Sequence, residues 1–116
     1  LQDKKDQLAK DLTLFERKKL EMARALATNP KLLLLDECAA GLNPVEVEGM
    51  LTKIKDIRDR GVTLCVVEHV MKFVFGTSDR IIVLHHGEKI AEGEPKEVIK
   101  DKKVIEAYMG EAYAST

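Results

Sequence analysis

The sequence predicts an α/β fold: parallel strands with crossover helices, followed by a hairpin and short helices. Three observations carry that expectation. Two short apolar runs, "KLLLLDE" (residues 31–37) and "VTLCVVEH" (residues 62–69), each end in a polar pair. Continuous runs of that length suit strands buried on both faces of a parallel sheet. Stretches with apolar residues at helical spacing precede and separate them, and such alternation marks α/β organisation with a right-handed crossover between parallel strands.

The elements follow in order. Residues 1–11, "LQDKKDQLAKD", are charged and read as a helical or loop lead-in. Thr13 and Glu16 then form T-x-x-E, a capping box that satisfies orphan amides at a helix start. Phe15, Leu20, Ala23 and Ala27 recur near helical spacing, and Asn29-Pro30 ends the helix. The leucine run gives the first strand. A second helix starts at Asn43 as N-cap, with Pro44 in its first position and Glu46 reaching back. Val47, Met50, Leu51, Ile54 and Ile57 form its apolar stripe, and Gly61 stops it. The second strand follows, then a short helix in "VMKFVFGTS". Two strands in "DRIIVLHHGEKIAEGEP" are joined around His86-Gly87-Glu88. "PKEVIKDKKVIEAYMG" supplies one or two short helices and "EAYAST" a loose tail.

Composition limits the function. The 116 residues are 45% hydrophobic and 34% charged, with a formal net charge of −1. That balance predicts a folded core under a charged surface. Lys and Arg are spread along the chain, which gives no case for a nucleic acid or an anionic membrane as partner. Cys38 and Cys65 fit no metal-site spacing and read as free thiols of a reducing cytoplasm. No targeting peptide is expected at the start, and no apolar run approaches the ~18 residues of a membrane span.

In open α/β sheets, ligands collect beyond the carboxyl ends of the strands. Asp36 and Glu37 end the first strand; Glu68 and His69 end the second. If the strands are neighbours, these four groups meet at one rim. Adjacent acids on extended chain point to different sides and can divide the work. One suits Mg²⁺ with oxygen ligands; the other suits a general base that orients water. The alternative is that both acids simply cap the turn into the next helix. His69 is likewise open between a switch and a satisfied strand-end histidine. His85 and His86 read as hairpin residues without chemistry.

The motifs as a set resemble the ATP-binding-cassette (ABC) ATPases. "LLLLDE" with Asn43 resembles their Walker B and D-loop, and "CVVEH" their switch-histidine segment. "LTLFERKKLEMARAL" aligns without gaps on their signature stretch, and "GEKIAEGEP" on their closing hairpin. "AAGLNP" and "VIEAYMGE" look most like the ATPases of branched-chain amino-acid importers. The resemblance covers residues 12 to about 110 and implies part of a P-loop NTPase fold. It implies that Asp36 holds the Mg²⁺ of MgATP through water, that Glu37 positions the attacking water, and that His69 contacts the γ-phosphate. Asn43 matches the D-loop position, although an Asn-Pro helix start explains it equally well.

Thr13, Leu14, Phe15 and Glu16 match the signature that presents a helix amino end to phosphate in a second subunit. Leu14 and Phe15 stand where the family has glycines, and Glu16 where it has glutamine. The expectation is a signature that is degenerate or differently packed, or a plain helix start. Cys38 replaces the proline that commonly follows the Walker B acids.

The sequence holds no G-x-x-x-x-G-K-[ST] loop to cradle phosphates. The chain is therefore expected to be the carboxyl-terminal part of one ABC ATPase domain: residues 1–30 the end of the signature region, 31–94 the core, 95–116 terminal helices and tail. Alone it is expected neither to hydrolyse ATP nor to hold it tightly. The resemblance implies a second ABC ATPase subunit and membrane permease subunits as partners, a solute-binding protein indirectly, and a place on the cytoplasmic face of the membrane. Other cargoes (urea, amides, an exported lipid) and a non-catalytic binding or regulatory module are the competing readings.

Overall fold

A computed structural model describes residues 1–109 of the protein. The described residues form two compact units, Leu1–Thr77 and a second that begins at Ser78.

In the first unit the lead-in forms two 3-10 turns, Gln2–Lys4 and Ala9–Asp11. Helix α1 (Leu14–Leu26) starts at Thr13 with the capping box formed in both directions. Its inward face differs from the expected stripe. Met22 is buried, and Phe15, Ala25 and Leu26 pack on the core, while Ala23 and Ala27 are exposed. Phe15, Met22 and Leu26 offer more apolar area than the alanine row, so burying them stabilises more.

Strand β1 (Leu32–Asp36) and strand β2 (Thr63–Val67) pair in parallel, from Leu32 opposite Thr63 to Asp36 opposite Val67. Between them lies α2 (Pro44–Asp59), capped by Asn43 and Glu46 with Pro44 at the start, as expected. All five residues of its stripe are buried, with Met50 at 0% and Ile54 at 2% exposure. Helix α3 (Met71–Thr77) adds Phe73, fully buried, and Thr77, whose hydroxyl donates to the Phe73 carbonyl at 2.7 Å.

The expectation that β1 is buried on both faces does not hold in this unit. Leu33 is buried and Leu35 partly so, but Leu32 and Leu34 are 53% and 69% exposed. Side chains alternate along a strand, and α1, α2 and α3 all contribute to a core that takes only the Leu33–Leu35 face. Val67 extends the open face at the end of β2.

In the second unit, β3 (Ile81–His85) and β4 (Glu88–Gly93) form an antiparallel hairpin with a bulge at Val83/Leu84. His86 and Gly87 both have positive φ, 50° and 77°. A two-residue loop of that kind matches the twist of the flanking strands. Short helices α4 (Pro95–Val98) and α5 (Lys102–Val104) follow, then a π turn over Ile105–Met109. Val98 and Val104 are buried, as are Ile81 and Val83. The expected tail at 111–116 lies outside the described residues. Among those described, no helix is long and apolar enough to cross a membrane.

Candidate functional site

Parallel pairing in register makes β1 and β2 stop side by side, with Asp36 opposite Val67. The chain then leaves both strands at one rim. Glu37 turns sharply there, with φ of 51°, a left-handed conformation that is uncommon outside glycine and costs about 1–3 kcal/mol. Its backbone is tied on both sides. The Glu37 amide donates to the Val67 carbonyl at 2.8 Å, and the Glu37 carbonyl accepts from the Ala40 amide at 3.1 Å and from Lys18 Nζ at 3.2 Å. Asp36, Glu37 and His69 are thus brought together, as the strand-end reading requires.

The side chains differ in exposure. His69 is 64% and Glu37 57% exposed, whereas the Glu68 side chain is fully buried. His69 Nδ1 lies 3.7 Å from Glu37 Oε1 and 3.6 Å from Glu68 Oε1. These are electrostatic distances, beyond a hydrogen bond. Glu68 Oε2 accepts the Ala39 amide at 3.1 Å, and Glu68 Oε1 accepts the His69 amide at 3.0 Å. Beside it Cys38 is buried, and that burial, with the charge of Glu68, pushes its thiol up to about 11.

The signature residues sit at the amino end of α1. The Thr13 hydroxyl accepts the Glu16 amide at 3.2 Å, and Glu16 Oε2 accepts the Thr13 amide at 2.8 Å. That backbone hydrogen bond holds the Glu16 carboxyl below its usual range. Leu14 lies over Gly41, where an added Cβ would meet its Cδ2 at 2.9 Å; Gly41 also has φ of 77°, so a side chain there would be excluded twice. The Phe15 ring lies over Gly49 of α2, with Lys19 Nζ 4.4 Å from the ring centre. Asn43 is engaged at the start of α2, its Oδ1 accepting the Glu46 amide at 2.9 Å and its own amide donating to Glu46 Oε2 at 3.1 Å.

Two contributors were not among the expected site residues. Lys18 bridges α1 to the Glu37 carbonyl, and Glu68 joins the loops that leave the two strands. Glu68 was visible only as an acid ending an apolar run beside His69. Lys18 had no signal beyond its place one helical turn after Leu14.

Among the described residues no group of three or more His, Cys, Asp or Glu could hold a metal ion alone. Mg²⁺ commonly takes one or two carboxylates and fills its other positions with phosphate oxygens and water. Asp36 offers one such hard oxygen donor at the rim.

The fold matches solved structures. MJ1267, an ATP-binding cassette of an ABC transporter, superposes with a TM-score of 0.80 at 34% identity, over 89% of this chain and 42% of that one. The high-affinity branched-chain amino acid transport ATP-binding protein LivG of Salmonella typhimurium is 43% identical over 105 residues, 90% of this chain and 41% of that protein. The chain belongs to the ATP-binding-cassette family. A family model described as "Branched-chain amino acid ATP-binding cassette transporter" matches residues 88–114 of this cassette chain, the last few of which lie outside the described residues. The lipopolysaccharide export system ATP-binding protein LptB of Haemophilus influenzae is 37% identical over 94% of the chain and 45% of its own length. The chain spans less than half the length of these cassette relatives.

Proposed function

We propose that the chain is the carboxyl-terminal part of an ABC ATPase domain whose hydrolysis of ATP drives solute uptake, of branched-chain amino acids, through a membrane permease. The observation that carries the chemistry is the parallel register of β1 and β2, which sets Asp36, Glu37 and His69 at one rim. The cargo rests on likeness to LivG and on the family model over residues 88–114.

In this reading Asp36 would hold the Mg²⁺ that accompanies the nucleotide, and the ion would neutralise charge on the phosphate oxygens. Glu37 acts as general base toward the attacking water. Its tied backbone fixes where the carboxylate starts, and its exposed side chain leaves room for water beside it. His69 donates a hydrogen bond to the transferring phosphate. The phosphate loop and its lysine come from outside these 116 residues, so the chain alone neither turns over ATP nor holds it tightly. Function also requires a second ATPase subunit and permease subunits, with a solute-binding protein acting on the permease and the ATPase at the cytoplasmic face of the membrane.

Likeness to LptB supports a second cargo reading, lipid export. The packing of Leu14 and Phe15 onto glycines supports a third, a module that kept the fold without using its signature. One experiment separates them. The complete ATPase polypeptide, reconstituted with its permease, is assayed for Mg²⁺-dependent ATP hydrolysis and for uptake of labelled leucine. Glu37→Gln is expected to lower kcat by about 100-fold or more, the scale of a lost general base, while nucleotide still binds. Turnover unaffected by that change refutes the role of Glu37. Turnover without leucine uptake refutes the cargo, and no turnover favours the module.

A further inference from the structure

Glu68 is the one fully buried carboxylate at the rim, and the reading above gives it no role. A buried carboxylate without partners would be costly. This one has a backbone amide for each oxygen: Ala39 on Oε2 at 3.1 Å and His69 on Oε1 at 3.0 Å. The two amides belong to different loops. Ala39 lies two residues past Glu37, in the turn off β1; His69 follows directly off β2. The side chain therefore spans the gap between the loops that carry the two exposed rim groups, Glu37 and His69.

We propose that Glu68 is a positioning residue for ATP hydrolysis: its buried carboxylate locks the Glu37 loop to the His69 loop, so that base and histidine approach the phosphate as one rigid unit. The proposal rests on the ATPase reading and deepens it. Side-chain chemistry makes it sharp. Glutamate presents two acceptor oxygens, whereas glutamine presents one acceptor and one N–H₂ donor. Glu68→Gln keeps size and shape but sets a donor against one of two amide donors, so one strap of the lock opens. Glu68→Asp keeps both acceptors on an arm one methylene shorter.

The test uses the complete ATPase polypeptide. Glu68→Gln is expected to lower kcat by roughly 10- to 100-fold, the effect of misplacing catalytic groups by about an ångström, with the KM for ATP within about twofold of wild type. Glu68→Asp is expected to recover part of that kcat. In ¹⁵N-resolved spectra the Ala39 and His69 amide protons are expected to move upfield and exchange faster in Glu68→Gln, more than other amides of the two strands. Wild-type turnover with an undiminished Glu68→Gln overturns the role of Glu68 alone. A general loss of folding in both variants, with no selective change at Ala39 and His69, also overturns it, because Glu68 would then serve only stability. A wild-type polypeptide that hydrolyses no ATP overturns the ATPase reading, and the positioning role falls with it.

Discussion

The contact between Phe15 and Gly49 allows a quantitative test of how this chain carries a bulky ring at a signature position. An added Cβ on Gly49 would lie 2.9 Å from Phe15 Cζ and 3.5 Å from Cε1. Carbon atoms prefer separations of about 3.5–4.0 Å, so the ring or the helix must give way by more than half an ångström. Gly49 lies inside α2, where glycine to alanine normally gains about 1 kcal/mol from helix propensity. Overpacking costs about 1–3 kcal/mol. The two nearly cancel or leave a net loss, so Gly49→Ala alone should be neutral to destabilising by about 2 kcal/mol. With Phe15→Ala in place the clash is gone, and Gly49→Ala should stabilise by about 0.5–1 kcal/mol. The coupling in a double-mutant cycle is therefore about 1–3 kcal/mol, measured by urea unfolding of the four variants. Gly76 is the internal control: a Cβ there meets only Leu51 methyls at 3.6 and 3.8 Å, ordinary contact distances. Gly76→Ala should gain helix propensity with no dependence on Phe15. Additivity of Phe15→Ala and Gly49→Ala to within about 0.5 kcal/mol would refute the argument.

Thr13→Ala removes the hydroxyl of the α1 capping box and should cost about 1 kcal/mol, read by the same unfolding curves. Glu16 is held below its ordinary value of 4.5 by its backbone hydrogen bond at Thr13. Its contribution is therefore present above that value and lost as pH falls through the lower folded one; Glu16→Gln should flatten this acid limb. Cys38, raised from 9.0 to about 11, stabilises the fold below pH 9, and that contribution is lost as pH climbs toward 11. Iodoacetamide at pH 8 should accordingly label exposed Cys65 and spare Cys38 until denaturant is added, and equal labelling rates would contradict the burial of Cys38. Leu34→Asp should cost this 116-residue chain less than about 1 kcal/mol, since Leu34 is 69% exposed. In the complete domain the same change should cost several kcal/mol if the open β1 face is covered there, because an unpaired buried charge is expensive.

How much of this was legible beforehand depended on how local the governing physics is. The α2 cap, its five-residue stripe and the α1 capping box follow from interactions within a few residues, and all appear as expected. The parallel pairing of β1 and β2 is a long-range contact, yet it was legible because two apolar runs with polar ends flank a helix of the right length. What failed was the choice between competing rows of a helix and the burial of both strand faces. Each depends on which partner surface is present. Leu32 and Leu34 are apolar enough for a covered face, but α1, α2 and α3 reach only the other side of this sheet.

The site divides along the same line. Asp36, Glu37 and His69 stood out because ionisable side chains at strand ends are conspicuous and the rim is where ligands gather. Glu68 was expected at the same rim but without a role, since a sequence cannot tell which of two adjacent side chains faces inward. Alternation decides it: Val66 packs on the core, Val67 points out, so Glu68 returns inward and His69 outward. An inward acid must find donors, and the amides beyond two neighbouring strand ends are the donors at hand. The same pleat that exposes the histidine thus buries the carboxylate that braces it. Moving β2 by one residue relative to its core face would exchange the two and leave an imidazole inside with a bare acid at the rim.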